Sequence, residues 1–490
     1  MTYTAKGLQV VLALVCMPIY LQQLGAAGFG IVGLFLSIQR LATLFDSGFS
    51  RAINREMASS TDPRTAADTM RTLEVAYLAI TATLLIVGLA ASGMIASVWH
   101  VPEARTLALL VAAAIAFQAP SNYYGAVLAG LERHVTLNLL QIAWQTARFV
   151  GGAVVLVYSP NLVAFFSSQL VVAAAFTVAI ATSAWRAAPL GFLAARFSGK
   201  HLHAVKRYAG GATLCAVTAV LVTQLDKLIL CWQLSADEFG LYMLGWSLAG
   251  SLFVVVSPMG SVFFPRLSRL ASDADSDALR QAYRTGSELV ALVILPITSV
   301  LAILGWHVLY AWIGEPGVAD DCWLVSSLLA TGIGVNCLCL MPHTLQMASG
   351  WTGLSNRLNL AAIAVFSPGI YFAATGGGAI GAGVAWIVFS CGFLLLQVVL
   401  MHRRLLPGEL TPWLRTYVVT ACGCVVAVGV VAISLPVEGR LGSLAVVVTA
   451  WAVAFVVACL LCTKTRRWIE ARLLKPRIEP VARPTEPCPS

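Results

Sequence analysis

Leu24–Ser59 reads LGAAGFGIVGLFLSIQRLATLFDSGFSRAINREMAS, and a related stretch returns from Leu234 as LSADEFGLYMLGWSLAGSLFVVVSPMGSVFFPRLSRL. At a constant offset of 210 residues, Leu24, Phe29, Gly30, Leu34 and Ser37 fall on Leu234, Phe239, Gly240, Leu244 and Ser247. Both copies run through an apolar helix into a basic segment, Arg51/Arg55 in the first and Arg266/Arg269 in the second. A second echo follows: Gly130 and TLNLL from Thr136 match Gly350 and RLNLA from Arg357 at nearly the same offset. Two echoes in the same order predict a chain of two related halves.

Composition sets the class. Charged residues make up 11% of the 490, hydrophobic ones 59%, and mean hydropathy is +0.84. A soluble domain carries about 25% charged residues. Apolar runs of about twenty residues recur from end to end, each long enough to cross roughly 30 Å of hydrocarbon. No alternating strand pattern is present, so the expected fold class is an all-α polytopic membrane protein. The first apolar run, from Gly7 to Leu24, lacks a clear small-residue cleavage site and reads as a retained helix.

Fourteen spans are predicted. Six lie near 6–23, 28–49, 74–98, 106–129, 136–158 and 162–186, and six near 208–232, 239–263, 287–312, 322–347, 358–375 and 379–401. Two more, near 413–434 and 442–462, have no counterpart in the repeat. The expected organisation is an N-terminal six-helix half (1–187), a cytoplasmic linker (188–205), a second six-helix half (206–402) and an added helix pair (403–463). A basic tail (464–490) is too poor in apolar residues to pack.

Basic residues orient the chain, because Lys and Arg accumulate in cytoplasmic loops. With the N-terminus inside, 26 of the 31 Lys and Arg fall on the inner side, and only Arg105 and Arg440 outside. Both termini are therefore expected in the cytoplasm. The same bias accounts for the net charge of +9, with anionic lipid headgroups as the ordinary partner and nucleic acid not expected. The twelve cysteines are scattered, mostly within spans, and read as small packing residues. No cofactor or metal is expected.

Three cations remain inside the spans, Arg40, Arg148 and Lys227, accompanied by Asp46 and Asp226. Such charges are costly in a membrane and usually face a polar interior or a partner. Arg40 and Arg148 lie about halfway along their spans and are expected to line a cavity, or else to be satisfied by neighbouring carbonyls or paired with Asp46. Lys227 either joins them or snorkels to the outer interface. A direct Asp226–Lys227 contact is not expected, since adjacent helical residues point about 100° apart. Asp46 reads as a structural acid at a helix end. Gln141, Gln145 and Arg148, spaced i, i+4, i+7, share one helix face. That stripe is either bonded to a neighbouring helix or the wall of a groove for a hydroxyl-rich or phosphorylated headgroup. No segment between spans carries a phosphate-binding loop, which argues against direct ATP-driven transport. None is long enough for a catalytic domain, so a membrane glycosyltransferase, ligase or polymerase is disfavoured and the chain is expected not to be an enzyme. The remaining class is a secondary transporter or flippase with a midplane site.

Pro18, Leu24-Gly25, Phe29-Gly30, the Asp46-Ser-Gly48 step and Arg51 resemble the opening of polysaccharide-exporter and O-antigen flippase proteins. Gln224-Leu-Asp226 before Phe239-Gly240 adds to the likeness, which extends over essentially the whole chain. That family is a branch of the multidrug/oligosaccharidyl-lipid/polysaccharide exporter superfamily. The resemblance implies two six-helix bundles around a V-shaped central cavity in the bacterial inner membrane. It further implies transfer of a polyprenyl-diphosphate-linked oligosaccharide from inner to outer leaflet. Expected partners are that substrate, membrane lipids, and the polymerase and chain-length machinery that use the unit. Arg40, Arg148 and Lys227 are the candidates to hold the headgroup, Gln141 and Gln145 the polar face beside it, and Asp226 the candidate coupling acid. The rival is a proton- or sodium-coupled antiporter of cationic drugs, whose site should present buried carboxylates. A structural subunit would leave Arg40 and Arg148 unexplained.

Overall fold

The computed structural model describes residues 2–42, 50, 53–54, 57, 62–99, 103–188, 195–197, 211–273, 275–435 and 437–462. Asp46, Gly48, Arg51, Arg55, the tail and most of the expected linker lie outside the described residues. Helices account for all regular structure among those described. They are α1 (Thr2–Ala42), α2 (Pro63–Trp99), α3 (Ala104–Gly130), α4 (His134–Tyr158), α5 (Leu162–Ala187), α6 (Gly211–Gln233) and α7 (Ala236–Ser272). The chain continues through α8 (Ser276–Ile303), α9 (Gly305–Ile313), α10 (Pro316–Cys337), α11 (Leu340–Ala348), α12 (Thr352–Leu405), α13 (Leu410–Ser434) and α14 (Gly439–Leu461).

Eleven stretches of the described residues are long and apolar enough to cross a membrane, fewer than the fourteen predicted spans. The main difference lies in α1 and α12, each of which carries two predicted spans. Both double back. Met17 and Leu36 line one small cavity beside Arg148, whereas a straight helix would hold them about 28 Å apart. Likewise the rings of Phe366 and Phe389 are 4.4 Å apart. The reversals fall at Gly25 (φ 68°, ψ 177°) and Gly378 (φ 55°, ψ −141°), a backbone region essentially confined to glycine. The prolines of these two helices, Pro18 and Pro368, do not supply the breaks.

Local sequence places several helix starts. Ser235 and Glu238 form a reciprocal capping box at α7. Asn161 and Asp275 cap α5 and α8 through side-chain oxygens. Asp62, just before α2, accepts from the Thr65 hydroxyl and from the Thr65 and Arg64 amides. Those bonds, the Thr65 hydroxyl first, hold its carboxyl below the usual carboxylate range.

In the first part of the chain α3 lies between α2 and α5, and α4 between α1 and α5. Edge-on aromatic contacts among Tyr20, Phe35, Phe165 and Phe166 tie α1 to α5. In the second part α7 packs on α8, α10 and α11, and α12 packs on α6 and α10. The pair α13/α14 rests on α8.

The two parts meet mainly where α1 runs along α7. The Ala27 amide donates to Asp237 Oδ1 at 3.2 Å. A Cβ on Gly240 would sit 1.9 Å from the Ala26 carbonyl oxygen, and one on Gly30 would sit 3.1 Å from the Gly240 Cα. One on Gly33 would meet the Met243 side chain at 2.7 Å. The pairs 27/237, 30/240 and 33/243 are each 210 residues apart. Residues related by the sequence repeat therefore meet in a row, as residues on a two-fold axis must. Only glycine permits this approach at 240, and at 30 a Cβ would force the facing backbone to give by a few tenths of an ångström. Beyond the row the seam loosens. Gly33 and Ser247 edge the small cavity beside Arg148, and Arg40, two turns beyond Gly33, is exposed.

Candidate functional site

Arg148 is a buried residue of α4, only 8% exposed. Its guanidinium donates to Gln39 Oε1 at 2.5 Å and lies 5.4–5.8 Å from the ring centres of Trp144, Phe149 and Phe35, within cation–π range. Gln39 in turn bonds Gln118 of α3. The backbone beneath is pinned as well: Tyr20 donates to the Phe149 carbonyl at 2.8 Å and Gln169 to the Arg148 carbonyl at 3.2 Å. A cation in a low-dielectric place must be paired or hydrogen-bonded to persist. Here the partners are neutral, so its charge is held but not cancelled by a carboxylate among them.

The expected stripe on α4 is only partly joined to its neighbours. Arg148 bonds across to α1, which is the helix-to-helix reading. Gln141 and Gln145 are half-buried, and Gln145 Oε1 is buried without a hydrogen-bond partner in the protein. A buried orphan acceptor is unusual enough to need a reason.

Lys227 and Asp226 on α6 are both fully buried. They form a direct ion pair, Nζ to Oδ1 at 2.8 Å, which corrects the expectation that adjacent residues cannot meet. The lysine stem folds back toward the preceding turn, where Nζ also donates to the Thr223 carbonyl at 2.6 Å. Its ammonium lies 3.0 Å from the Trp246 ring centre, so it does not snorkel outward. Asp226 Oδ2 accepts from Tyr242 at 2.7 Å and Trp386 Nε1 at 3.0 Å. Three helices, α6, α7 and α12, thus converge on one carboxylate, which has a donor on each oxygen.

Arg40, on the second arm of α1, joins the two clusters. Its charge acts on both Arg148 and Lys227, and unlike them it is exposed. The structure therefore brings the three predicted cations into one electrostatic neighbourhood, with one enclosed in each part of the chain and Arg40 open between them. Asp226 offsets Lys227 directly, whereas Arg148 rests on neutral groups.

Glu74, Glu288 and Glu409 are buried acids that were not anticipated, and Glu74 has the fullest set of donors. Glu74 on α2, 3% exposed, accepts from Arg71 (2.6 Å), Tyr124 (2.5 Å) and Trp185 Nε1 (2.9 Å). It repeats the donor set of Asp226, a cation, a tyrosine and a tryptophan, at a position unrelated by the sequence repeat. Its place at the edge of an apolar run hid it, since the tyrosine and tryptophan come from α3 and α5.

A family model described as "Polysaccharide biosynthesis protein" matches residues 23–316. The chain belongs to that family. A "Putative O-antigen transporter" of Shigella flexneri is 22% identical over 373 residues, covering 74% of this chain and 87% of that protein. Among solved structures, a multidrug resistance MATE family transporter of the MOP superfamily in an inward-facing conformation superposes with a TM-score of 0.66 at 16% identity. It covers 82% of this chain and 95% of that one. A MOP superfamily transporter from Pyrococcus furiosus gives a TM-score of 0.57 at 14% identity, covering 84% and 96%. The polysaccharide biosynthesis family member described here thus shares the helical fold of those two proteins. The chemistry of its site is cationic, polar and aromatic: suited to holding an anion and hydroxyl groups, with no nucleophile–base pair among the groups named.

Proposed function

We propose that this protein is a flippase that carries a polyprenyl-diphosphate-linked oligosaccharide from the inner to the outer leaflet of the bacterial inner membrane. The observation that carries this reading is Arg148, a buried cation whose named partners, Gln39 and three aromatic rings, are neutral, with Arg40 and Lys227 as further cations acting on the same neighbourhood. A diphosphate diester is ionised on each phosphate at neutral pH, and moving it away from water is expensive unless cations and donors replace its hydration. Arg40 is the exposed guanidinium a headgroup would meet first, and Arg148 lies behind it. The orphan acceptor Gln145 Oε1 suits a sugar hydroxyl. Family membership and the O-antigen transporter relative support the substrate class.

The chain would work as two related six-helix halves, 1–187 and 206–402, joined by 188–205 and followed by an added pair at 403–463. The charge asymmetry of the sequence supports placing both termini in the cytoplasm. With that orientation the Gly30/Gly240 seam closes the outer end and the Arg40 end opens inward. The headgroup would bind from the inner side, the halves would rock about the seam, and the polyprenyl chain would stay in lipid. A polymerase with its chain-length partner would take the unit outside. Asp226 is the candidate coupling acid of this scheme.

Leaflet transfer in proteoliposomes tests it, using a diphosphate-linked oligosaccharide with wild type, Arg148→Ala and Arg40→Ala. The proposal requires transfer by wild type and its loss in either variant that still inserts and folds. Absence of transfer for several lipid-linked sugars, together with ion-coupled efflux of a cationic dye, would assign the protein to drug antiport instead.

A further inference from the structure

A second polar cavity lies well away from the central cations. It occupies about 580 Å³ between the first turns of α8, the first turns of α13 and the last turn of α14, within the usual range for small-ligand sites. Helices α7 and α8 stand between it and α1, so it is separate from the Arg40–Arg148 neighbourhood.

The floor of this cavity is built. Arg284 pairs with Glu409 through two parallel bonds of 2.5 Å, Nε to Oε2 and NH2 to Oε1. That fork joins α8 to the start of α13 and cancels its own charge. Trp413 is 5% exposed and lines the cavity, yet its indole N–H has no acceptor in the protein. Indole nitrogen can only donate, so this N–H needs an acceptor that the protein does not place against it. Its ring is fixed against Tyr417 at 4.3 Å. Arg415, exposed on α13, brings a further cation to the rim, and the buried Glu288 of α8 brings a further carboxylate to the wall.

The surroundings fix what kind of molecule could supply the acceptor. Val418, Val419 and Leu460 beside the cavity are 56%, 45% and 59% exposed, on helices long and apolar enough to span a membrane. Their neighbours are therefore acyl chains, and a molecule that is apolar on one side and carries an acceptor on the other fits the cavity.

We propose that this cavity is a binding site for a membrane phospholipid, whose phosphodiester accepts from Trp413 Nε1 and Arg415 while its chains lie along Val419 and Leu460. The bound lipid fastens the added pair α13/α14 to α8. Its recognition does not depend on the transported substrate.

Native mass spectrometry of the full-length protein in detergent tests this, with phosphatidylglycerol, phosphatidylethanolamine or inorganic phosphate added separately. Wild type should retain one phospholipid after the others are stripped. Trp413→Phe, which keeps the ring, and Arg415→Gln, at an exposed position, should each weaken retention about tenfold, the scale of one charge-assisted hydrogen bond. Arg415→Lys should restore most of it. Equal retention by wild type and both variants overturns the proposal. So does a wild type that holds no phospholipid, or one that binds inorganic phosphate alone.

Discussion

Replacing Gly240 with Ala probes the seam on which the proposed rocking depends. The new methyl carbon would lie 1.9 Å from the Ala26 carbonyl oxygen, about 1.5 Å short of ordinary contact. Ala26 contributes backbone, so no side-chain rotation relieves the clash. Helix α7 must move away from α1, loosening the Ala27–Asp237 bond and the Met243 packing with it. Overfilling a packed site costs about 1–3 kcal/mol, which is a shift of about 5- to 150-fold against the closed seam. Alanine otherwise stabilises a helix interior relative to glycine by about 1 kcal/mol. The sign of the effect therefore reports whether the seam is as tight as it looks.

Gly33→Ala is the matched control. There the methyl would meet Met243 side-chain atoms at 2.7–2.9 Å, and methionine has three rotatable bonds with which to yield. Hydrogen–deuterium exchange of the amides in 26–33 and 236–244 reads both variants without added labels. Gly240→Ala should exchange faster along both strips by a factor in that range, and Gly33→Ala should remain close to wild type. Protection in Gly240→Ala equal to or greater than wild type would refute the close crossing, and equal perturbation by the two variants would refute the distinction between backbone and side-chain neighbours.

Two further perturbations follow from the ion pair and the helix cap. Asp226→Asn strands Lys227 with one carbonyl and an indole face, whereas Lys227→Met leaves Asp226 the donors Tyr242 and Trp386. Each single change should destabilise by about 3–5 kcal/mol, the aspartate loss being the worse, and the double change by less than the worse single. Thermal unfolding in detergent decides, and additivity of the two losses would remove the pair from the account. At Asp62 the carboxyl titrates below its unfolded value, so its support for the start of α2 is complete above the ordinary carboxylate range. It is lost as pH falls through the lowered folded value. Asp62→Ala should therefore speed exchange of the Arg64 and Thr65 amides at neutral pH, and the difference from wild type should vanish in acid; a difference that persisted there would rule out the charged cap.

How much the sequence could reveal depended on whether a contact repeats a pattern along the chain. Gly30 and Gly240 stood out because each carries the same local motif, and their meeting follows from relating the copies by a two-fold axis. The reversals at Gly25 and Gly378 were visible only as gaps between apolar runs, since a single glycine in the right dihedral region replaces the expected loop. Side-chain length misled at Asp226–Lys227. The 100° between neighbouring positions describes Cβ directions, whereas a lysine ammonium four carbons out can fold back to its neighbour and to the preceding turn. Glu74 was hidden for a different reason: two of its donors, Tyr124 and Trp185, lie 50 and 111 residues away, and no local periodicity announces such a convergence. These contacts also redistribute the charge that composition had counted equally. In the second part of the chain the deep cation is offset by its own neighbour, while in the first part Arg148 rests on glutamine and aromatic rings. The pull on an anion is therefore lopsided, strongest along α1 and α4. In the proposed flippase, a headgroup held mainly to one half would move with that half, and its release outside would depend on Gln39 and the aromatic rings continuing to hold the Arg148 guanidinium when the anion leaves.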